Sequence, residues 1–338
     1  LTLDTQLGID PENIISIATA SSGGLLAGAN GVASTVNVAD SVEARVGAGN
    51  NITLTGALSI TAENSNYLRS ESLGRSTGGY ASVGISVNSV EVSVDTYAGI
   101  DGATGIISAG SMGIEAYDHG SNRLRTVSGS GAIGGAAVGV LSQLNDGAVP
   151  TQNNPGIADT TARIGGSITL TGALTMSALS VPDNYNLVEG MAIAAVGSIG
   201  KISAGTQVLH DALTFIDNGS TFNVGSANIS SQLGDSMAYT ARMNVTSIAG
   251  ALGLGVQGAT SDVNLGVVAG NLSPSSDAIT RIGENVHFNV SGNTASFNSS
   301  NQTRTKNEIT GVSAGYIAAG STLANTVNNG SSLVLAGR

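Results

Sequence analysis

A seven-residue sequence that occurs twice constrains this chain more than any other feature. Ile52-Thr-Leu-Thr-Gly-Ala-Leu58 returns unchanged as Ile168-Thr-Leu-Thr-Gly-Ala-Leu174. Apolar and small polar residues alternate through both copies, which is the period of a strand with one buried face. Gly56 and Gly172 interrupt the copies at the same place and predict a bend between two short strands. The chain is therefore predicted to be a repeat protein.

A first landmark recurs around this stretch and ends in an arginine, an aliphatic residue and a glycine. Its three arginines are 118 residues apart both times: Arg45, Arg163 and Arg281. An acidic residue precedes each of them: Asp40, Asp159 and Asp277. Versions without the arginine lie between and carry paired aspartates, Asp95 with Asp101 and Asp211 with Asp217. The landmark therefore alternates between two versions. The glycine bend of the repeated heptad also has diverged counterparts, near Gly110, Gly225 and Gly292.

A second landmark is a Gly-rich turn that leads into a β-branched strand, as in Gly78-Gly-Tyr-Ala-Ser-Val-Gly84 followed by residues 85–94. The two landmarks define half-repeats of roughly 55–60 residues, paired into 118-residue units. In order, each half-repeat is read as the Asp/Arg-Gly turn, the Thr-Leu-Thr-Gly-type strands, a polar Asn/Ser turn, the Gly-rich turn and the β-branched strand.

These periods predict an all-β fold, an elongated β-solenoid (parallel β-helix) that spans residues 1–338 as one array. We expect two or three coils of about 20 residues in each half-repeat, stacked about 4.8 Å apart. Residues 146–158 contain two prolines and are predicted to be a loop insertion, because the repeat resumes in phase at Arg163. Leu1 begins in mid-pattern, so we expect the chain to be a piece of a longer protein.

Composition limits the class of protein. Charged residues are only 10% and aromatic residues 3% of the chain, and glycine occurs 48 times, which suits an ordered fold with a thin core. The net charge is −11 and the few cations are scattered in sequence, so nucleic-acid binding is not expected. Cysteine is absent, which excludes disulfides and thiolate metal sites. Residues 248–270 are uncharged apart from one aspartate but rich in glycine, and are predicted to form strands and no membrane span.

The combination of Ala-Arg-Ile-Gly with Ile-Thr-Leu-Thr-Gly-Ala-Leu, and of Gly-Gly turns with strands such as Val-Asn-Val, resembles a known kind of repeat. It is similar to the repeat regions of giant bacterial filamentous surface proteins, the filamentous-haemagglutinin-like and leukotoxin-like filamentous adhesins. The resemblance covers essentially the whole chain. It implies an exported fibre on the bacterial cell surface that serves adhesion or aggregation, and it supplies no catalytic residues.

Three motifs with known chemistry have a structural reading that we prefer. Gly311-Val-Ser-Ala-Gly315 matches a nucleophile elbow, but no histidine follows Ser313. Gly129–Gly134 and Gly253–Gly258 match dinucleotide fingerprints, but neither opens a helix. The three histidines are isolated in sequence, so surface or turn positions are expected for them.

The recurrent aspartates are the remaining candidates for a binding site. Asp95, Asp101, Asp211 and Asp217 are weak calcium candidates, since calcium needs six or more oxygen ligands; turn formation is the preferred role. The acidic residues before the arginines are expected to form local ion pairs with them at a corner. No other cofactor is expected.

Two functions from different classes compete. The preferred one is a non-catalytic, extracellular surface fibre segment that mediates attachment or matrix assembly, self-associates into filaments and binds a cell-surface or matrix ligand. The alternative is a β-helix carbohydrate-active enzyme, a polysaccharide lyase or hydrolase. Such an enzyme would concentrate carboxylates, cations and aromatic residues in one groove, whereas the acidic residues here follow the repeat.

Overall fold

The computed structural model describes residues 2–7, 14–102, 105–147, 160–265, 276–292 and 294–337. All regular elements in these ranges are β-strands, and every strand pairing is parallel. Asp159 and residues 148–158 of the expected insertion lie outside the described residues, and the preceding strand continues through Gly147.

The chain runs through the same sheets in the same order, and each traverse is called a pass. The first two passes are β1 (Thr2–Leu7), β2 (Ile14–Gly24), β3 (Ala27–Val46), β4 (Ile52–Thr53), then β5 (Ala57–Asn64), β6 (Tyr67–Gly78), β7 (Ala81–Ile100), β8 (Ile106–Ala109). The third and fourth are β9 (Ser111–Asp118), β10 (Ser121–Ala132), β11 (Ala136–Gly147), β12 (Thr160–Ile164), β13 (Ser167–Leu170), then β14 (Ala173–Ser180), β15 (Asp183–Ala194), β16 (Gly197–Val208), β17 (Ala212–Ile216), β18 (Thr221–Val224). The last two are β19 (Ser226–Leu233), β20 (Ala241–Ala251), β21 (Leu254–Leu265), β22 (Ala278–Ile282), β23 (His287–Val290), then β24 (Ala295–Asn301), β25 (Thr305–Ala314), β26 (Ile317–Asn328), β27 (Ser332–Ala336).

Four sheets collect the equivalent strands. Sheet A is β1-β5-β9-β14-β19-β24, sheet B is β2-β6-β10-β15-β20-β25, and sheet D is β23-β18-β13-β8-β4. In sheet C the long strands β3 and β7 pair along their whole length, and β7 then pairs with β11 through its first part and with β12 through its last part. Sheet C therefore divides from the third pass onward into two halves, one running through β11 and the other through β12.

One half-repeat is one complete pass. Hydrogen bonds between side chains at paired positions join residues 54, 62 and 66 apart. The expectation of two or three 20-residue coils in each half-repeat is therefore wrong. The pass is longer because a twelve-residue strand, β6, lies between the Thr-Leu-Thr-Gly-type strands and the Gly-rich turn, where only a polar turn was expected.

The larger core lies in the part called the body, formed by sheets A and D and the β12 half of sheet C. Its strands show the expected alternation, and Leu58, Ile168 and Leu174 are fully buried there. Phe222 stacks on Phe288 in the neighbouring pass with ring centroids 4.6 Å apart. Burial of such side chains stabilises each by about 1.5–3 kcal/mol, so the body holds most of the apolar stabilisation.

The remaining part, called the wing, consists of sheet B packed on the β11 half of sheet C, and its interior is polar near the tip in the first passes. Ser70 Oγ donates to Asn88 Oδ1 at 2.7 Å, and Ser34 and Ser70 hydroxyls lie 3.0 Å apart. The predicted strand at residues 85–94 is confirmed within β7, but its buried face near the tip is Ser82, Gly84, Ser86 and Asn88. In the fourth and fifth passes a second apolar cluster, which includes residues 188, 202, 243 and 263, lies between the same two sheets.

The bends predicted at Gly56, Gly172 and Gly292 are confirmed, and the glycines form a column between sheets D and A. Each backbone N–H donates to the glycine carbonyl of the preceding pass, as from Gly172 to Gly110 at 2.7 Å. A Cβ on Gly172 would lie 2.8 Å from the Gly110 carbonyl oxygen, whereas a Cβ on Gly56 would meet nothing within 4 Å. Close approach of stacked backbones, and not a left-handed backbone conformation, requires glycine at Gly172.

A strand glycine that stacks on no carbonyl oxygen offers a control for this column. We expect Gly172→Ala to lower the free energy of unfolding by about 1–3 kcal/mol, because the added methyl group overlaps the Gly110 carbonyl. Gly258→Ala, inside β21, should be neutral or slightly stabilising, since a Cβ there would meet nothing within 4 Å and alanine restricts the unfolded chain. Denaturant unfolding followed by circular dichroism measures both. Equal effects of the two variants would contradict the stacked column.

Candidate functional sites

Arginines and aspartates from alternate passes form a column on the outer face of the β12 half of sheet C. Arg45 Nε lies 2.9 Å from Asp101 Oδ2 in the next pass. Arg163, in the third pass, donates two hydrogen bonds of 2.7 and 3.2 Å to the carboxylate of Asp217 in the fourth pass. Arg163 also lies 4.0 Å from Asp101. Each inner member of the column therefore has an opposite charge on a neighbouring strand.

Aromatic rings fill the same column. The guanidinium of Arg45 lies 4.8 Å from the Tyr97 ring centre, and Arg163 and Arg281 lie over opposite sides of Phe215 at 5.6 and 5.4 Å. Tyr97 donates its hydroxyl hydrogen bond to Asp101. Burial, aided by this bond and by the charge of Asp101, raises the pKa of Tyr97. The tyrosine therefore remains a neutral donor.

The expectation of local ion pairs is wrong where the contacts are described. Arg45 pairs across passes with Asp101 and within its own strand with Glu43, while Asp40 accepts the N–H of Ser41. Asp277 accepts hydrogen bonds from Ser331, and Arg281 stacks on Phe215. The landmark requires glycine at Gly165, because a Cβ there would lie 2.5 Å from Asp217 Oδ2. At this position the arginine version of the half-repeat leaves room for the aspartate of the next pass.

The four calcium candidates are not brought together as one ligand set. Asp101 and Asp217 are engaged by arginines, and Asp211 accepts the backbone N–H of Asp277 at 2.7 Å. Burial, with a smaller contribution from the charge of Glu43, raises the pKa of Asp95. In the described ranges no three histidine, cysteine, aspartate or glutamate side chains are grouped so that they could hold a metal ion.

An exchange of charges distinguishes an alternating column from an isolated ion pair. Arg163→Asp and Asp217→Arg should each lower the midpoint of thermal unfolding, because like charges then lie on adjacent strands. The double exchange restores the pair itself but places the introduced carboxylate against Asp101 and the introduced guanidinium near Arg281. We therefore expect it to recover less than half of the summed loss. Full recovery in thermal melts would show that the pair acts alone.

The outer face of sheet B gathers most of the cations that are scattered in sequence. Seven of the twelve lysines and arginines lie on this face or at its margin: Arg69, Arg75, Arg123, Arg125, Arg242, Arg304 and Lys306. Asp183 binds Arg123 at 2.6 Å and Arg242 at 3.2 Å. Burial alone would raise the pKa of Asp183, but the hydrogen bonds and charges of these two arginines outweigh it and lower the pKa.

Tyrosines lie among these cations. Arg242 is 5.2 Å from the Tyr185 ring centre and 5.9 Å from that of Tyr239, and Arg304 is 4.7 Å from Tyr239. Sequence reasoning missed this face because its members come from different passes. The recurrence of arginine near the start of successive sheet B strands was the available signal.

A trough of about 620 Å³ crosses the same face near the wing tip. Its floor is the bare backbone of Gly129 and Gly131, and its walls include Arg75, Met191 and Ile193. Both glycines lie in β10, so the dinucleotide fingerprint at 129–134 is a strand and its turn. The fingerprint at 253–258 likewise runs from a turn into β21.

A buried polar cluster joins the wing to the body. Asp118 Oδ2 lies 3.4 Å from His210 Nδ1, Ser180 Oγ lies 3.4 Å from the same nitrogen, and Asn64 donates to Asp118 Oδ1 at 2.5 Å. A catalytic triad needs the serine and the acid on different imidazole nitrogens. Because both contacts involve Nδ1 and the side chains are buried, this arrangement joins strands and does not present a nucleophile. His210 lies in the connection between β16 and β17, as expected of a turn histidine, but its side chain is buried and not at the surface.

The other sequence candidates have no catalytic surroundings. Ser313 lies in β25, where its hydroxyl donates to the Gly255 carbonyl at 3.1 Å, so it is not at a strand-to-helix turn. His119 lies beside Tyr117, and His287 begins β23.

Asp211 adjoins the buried cluster and gives it a pH dependence. Burial raises the pKa of Asp211 to about 6; the hydrogen bond from the backbone of Asp277 and the charge of His210 oppose this rise, and the charge of Asp277 adds to it. The unfolded value is about 3.9, so between these values the folded state binds more protons than the unfolded state. The stability contributed by protonated Asp211 is complete below about pH 4 and is lost as the pH rises through 6.

Asp211→Asn should remove this dependence, because asparagine keeps the acceptor for the Asp277 N–H without the charge. We expect wild type to lose about 2–3 kcal/mol between pH 4 and 6.5 relative to the variant, from a pKa difference of about two units. Denaturant unfolding at several pH values checks this, with Asp262→Asn on the outer face of sheet C as the control. Parallel curves for wild type and Asp211→Asn would contradict the assignment.

Comparison with known proteins adds no relative. No protein-family model, no curated protein and no solved structure matches the chain. Within the ranges that the structure describes, no helix is long and apolar enough to cross a membrane.

Proposed function

We propose that this chain is a segment of an extended β-solenoid fibre on the outside of a bacterial cell, where it acts as a non-catalytic structural or adhesive element. The observation that carries the proposal is the use of side chains. Columns of arginine with aspartate, of phenylalanine and of glycine each connect one pass to the next, so these residues stabilise the stacking of the passes. An enzyme would make unlike groups from different passes converge on one accessible position, whereas the cluster around His210 is buried.

The length and direction of the strands also support a fibre. In-register parallel pairing repeats pass after pass in all four sheets, and each further pass would add about 4.8 Å. Stability in such arrays comes from contacts between nearest neighbours, so the array can be extended without a new core. The resemblance to filamentous adhesin repeats favours the same role and an extracellular location.

Self-association and ligand binding belong to this proposal. The cation–tyrosine face of sheet B is the surface that we would assign to a cell-surface or matrix ligand, because it differs most from the acidic remainder of the chain. Among its carboxylates, Asp183 and Glu189 are held by arginines of neighbouring strands, while Glu71 and Glu308 pair with Arg69 and Lys306 of their own strands.

Electron microscopy of the negatively stained protein tests the fibre. The six passes span only about 29 Å along the stack, so a rod is expected only of chains with additional 118-residue units, which should be longer by about 10 Å per unit, two passes each. No increase in length along the stack would contradict the proposal. The alternative carbohydrate-active enzyme would release new chain ends from acidic or neutral polysaccharides. Loss of that turnover in Asp183→Asn would contradict the non-catalytic fibre and support the enzyme.

A further inference from the structure

Near the tip of the wing, the outer face of sheet C is apolar where the inner face of β7 is polar. In β7 the aliphatic residues Val83, Ile85 and Val87 point outward, with 36 to 42% of their surface exposed. Ser82, Gly84 and Ser86, which alternate with them, point into the wing. A strand normally turns its aliphatic face toward a buried layer. Between residues 82 and 87, β7 has the reverse arrangement, with its aliphatic side chains outside and its small polar residues inside.

The same inversion occurs in the neighbouring strands. Ile199 of β16 is 47% exposed while Ser198 is buried, and Val138 of β11 points outward while Ala137 is buried. These positions lie in the middle passes, so their exposure does not depend on how the array continues at either end. We call this surface the C-face patch and define it by the outward positions of residues 27–33, 81–87, 136–140, 197–203 and 254–258.

The C-face patch is almost free of charge. Lys201 is the only charged residue among its outward positions, which otherwise carry alanine, glycine, valine, isoleucine, leucine and serine. The opposite face of the wing, on sheet B, carries most of the lysines and arginines of the chain. A charged partner would therefore be drawn to sheet B and not to this patch.

The size of the patch suits a protein interface. Five strands spaced about 4.8 Å apart, each with three or four outward positions about 6.7 Å apart, give roughly 500–650 Å². That is at or beyond the largest apolar patch of a typical monomer and approaches the ~800 Å² that each partner buries in a standard complex.

We propose that the C-face patch binds the same patch of a second copy of this chain, so that two wings pack face to face. Apart from Lys201, this sheet face is flat, uncharged and aliphatic, and such a face is complementary to itself, as a two-fold interface requires. The two sheets would pack about 10 Å apart, the ordinary spacing of stacked sheets. A strand-adding partner would need a free sheet edge, which this face does not present. The pairing encloses the aliphatic side of β7 and leaves the cation–tyrosine faces of both copies outermost.

The biological role of this pairing rests on the proposed function. The pairing itself can be measured whether or not the chain is a surface fibre. The probe is the intact chain in sedimentation velocity over a wide range of concentrations, at low and high salt. Wild type should sediment as a dimer, and high salt should not weaken it, since apolar contact and not charge holds the pair.

A matched pair of variants locates the contact. Ile85→Lys combined with Ile199→Lys should raise the dissociation constant at least about 100-fold, because it adds four like charges to the two Lys201 side chains already present in each interface. Ile17→Lys combined with Ile193→Lys makes the same change at equally exposed positions of sheet B and should leave the dimer intact. Unchanged circular dichroism of both variants establishes that folding is retained.

A second measurement does not depend on these substitutions. The chain has no cysteine, so a single Val138→Cys, at the centre of the patch, should give a covalent pair with a bifunctional thiol reagent, and Ile193→Cys should not. A monomeric wild type, a dimer lost equally in both lysine variants, or a monomer that binds phospholipid vesicles through Ile85 and Ile199 would each overturn the proposal. A rod that does not pair would overturn this inference alone and leave the proposed function standing.

Discussion

Parallel, in-register backbone pairing is the constraint on which the rest of this structure depends. Each strand lies directly on the equivalent strand of the previous pass, so every side chain has its counterpart as a near neighbour. A residue at one position therefore meets its own repeat about 4.8 Å away. Like charges directly opposite each other destabilise a sheet, and a bulky corner residue would separate the backbones. The repeat can retain only side chains that tolerate their own kind or alternate with a complement.

The columns of the protein show both solutions. Glycine at the bend between sheets D and A and phenylalanine in the body stack on themselves. In the column on the β12 half of sheet C, arginine instead alternates with aspartate from pass to pass. This alternation gives a physical reason for the two versions of the half-repeat. The 118-residue period is the distance over which the charge pattern repeats.

Some of this was predictable from the amino-acid sequence, and some was not. The repeated heptad predicted the short strands, their buried alternation and the glycine bend, because each depends on local residue order. The polar segment at residues 67–78 hid a long strand, because its buried face is serine and glycine and satisfies hydrogen bonds with sheet C. That error made the predicted coils too short. The cation–tyrosine face and the partners of Arg45 and Arg163 depend on which residues lie one pass apart, so they required the register.

The alternation of charge also bears on how such a chain can change length over generations. Loss or gain of a single pass by unequal recombination would bring two arginine versions, or two aspartate versions, into contact. Loss or gain of two passes keeps the order intact. Genes for arrays of this kind should therefore gain or lose an even number of passes. Duplication of two passes would produce the identity between Ile52–Leu58 and Ile168–Leu174, which lie two passes apart.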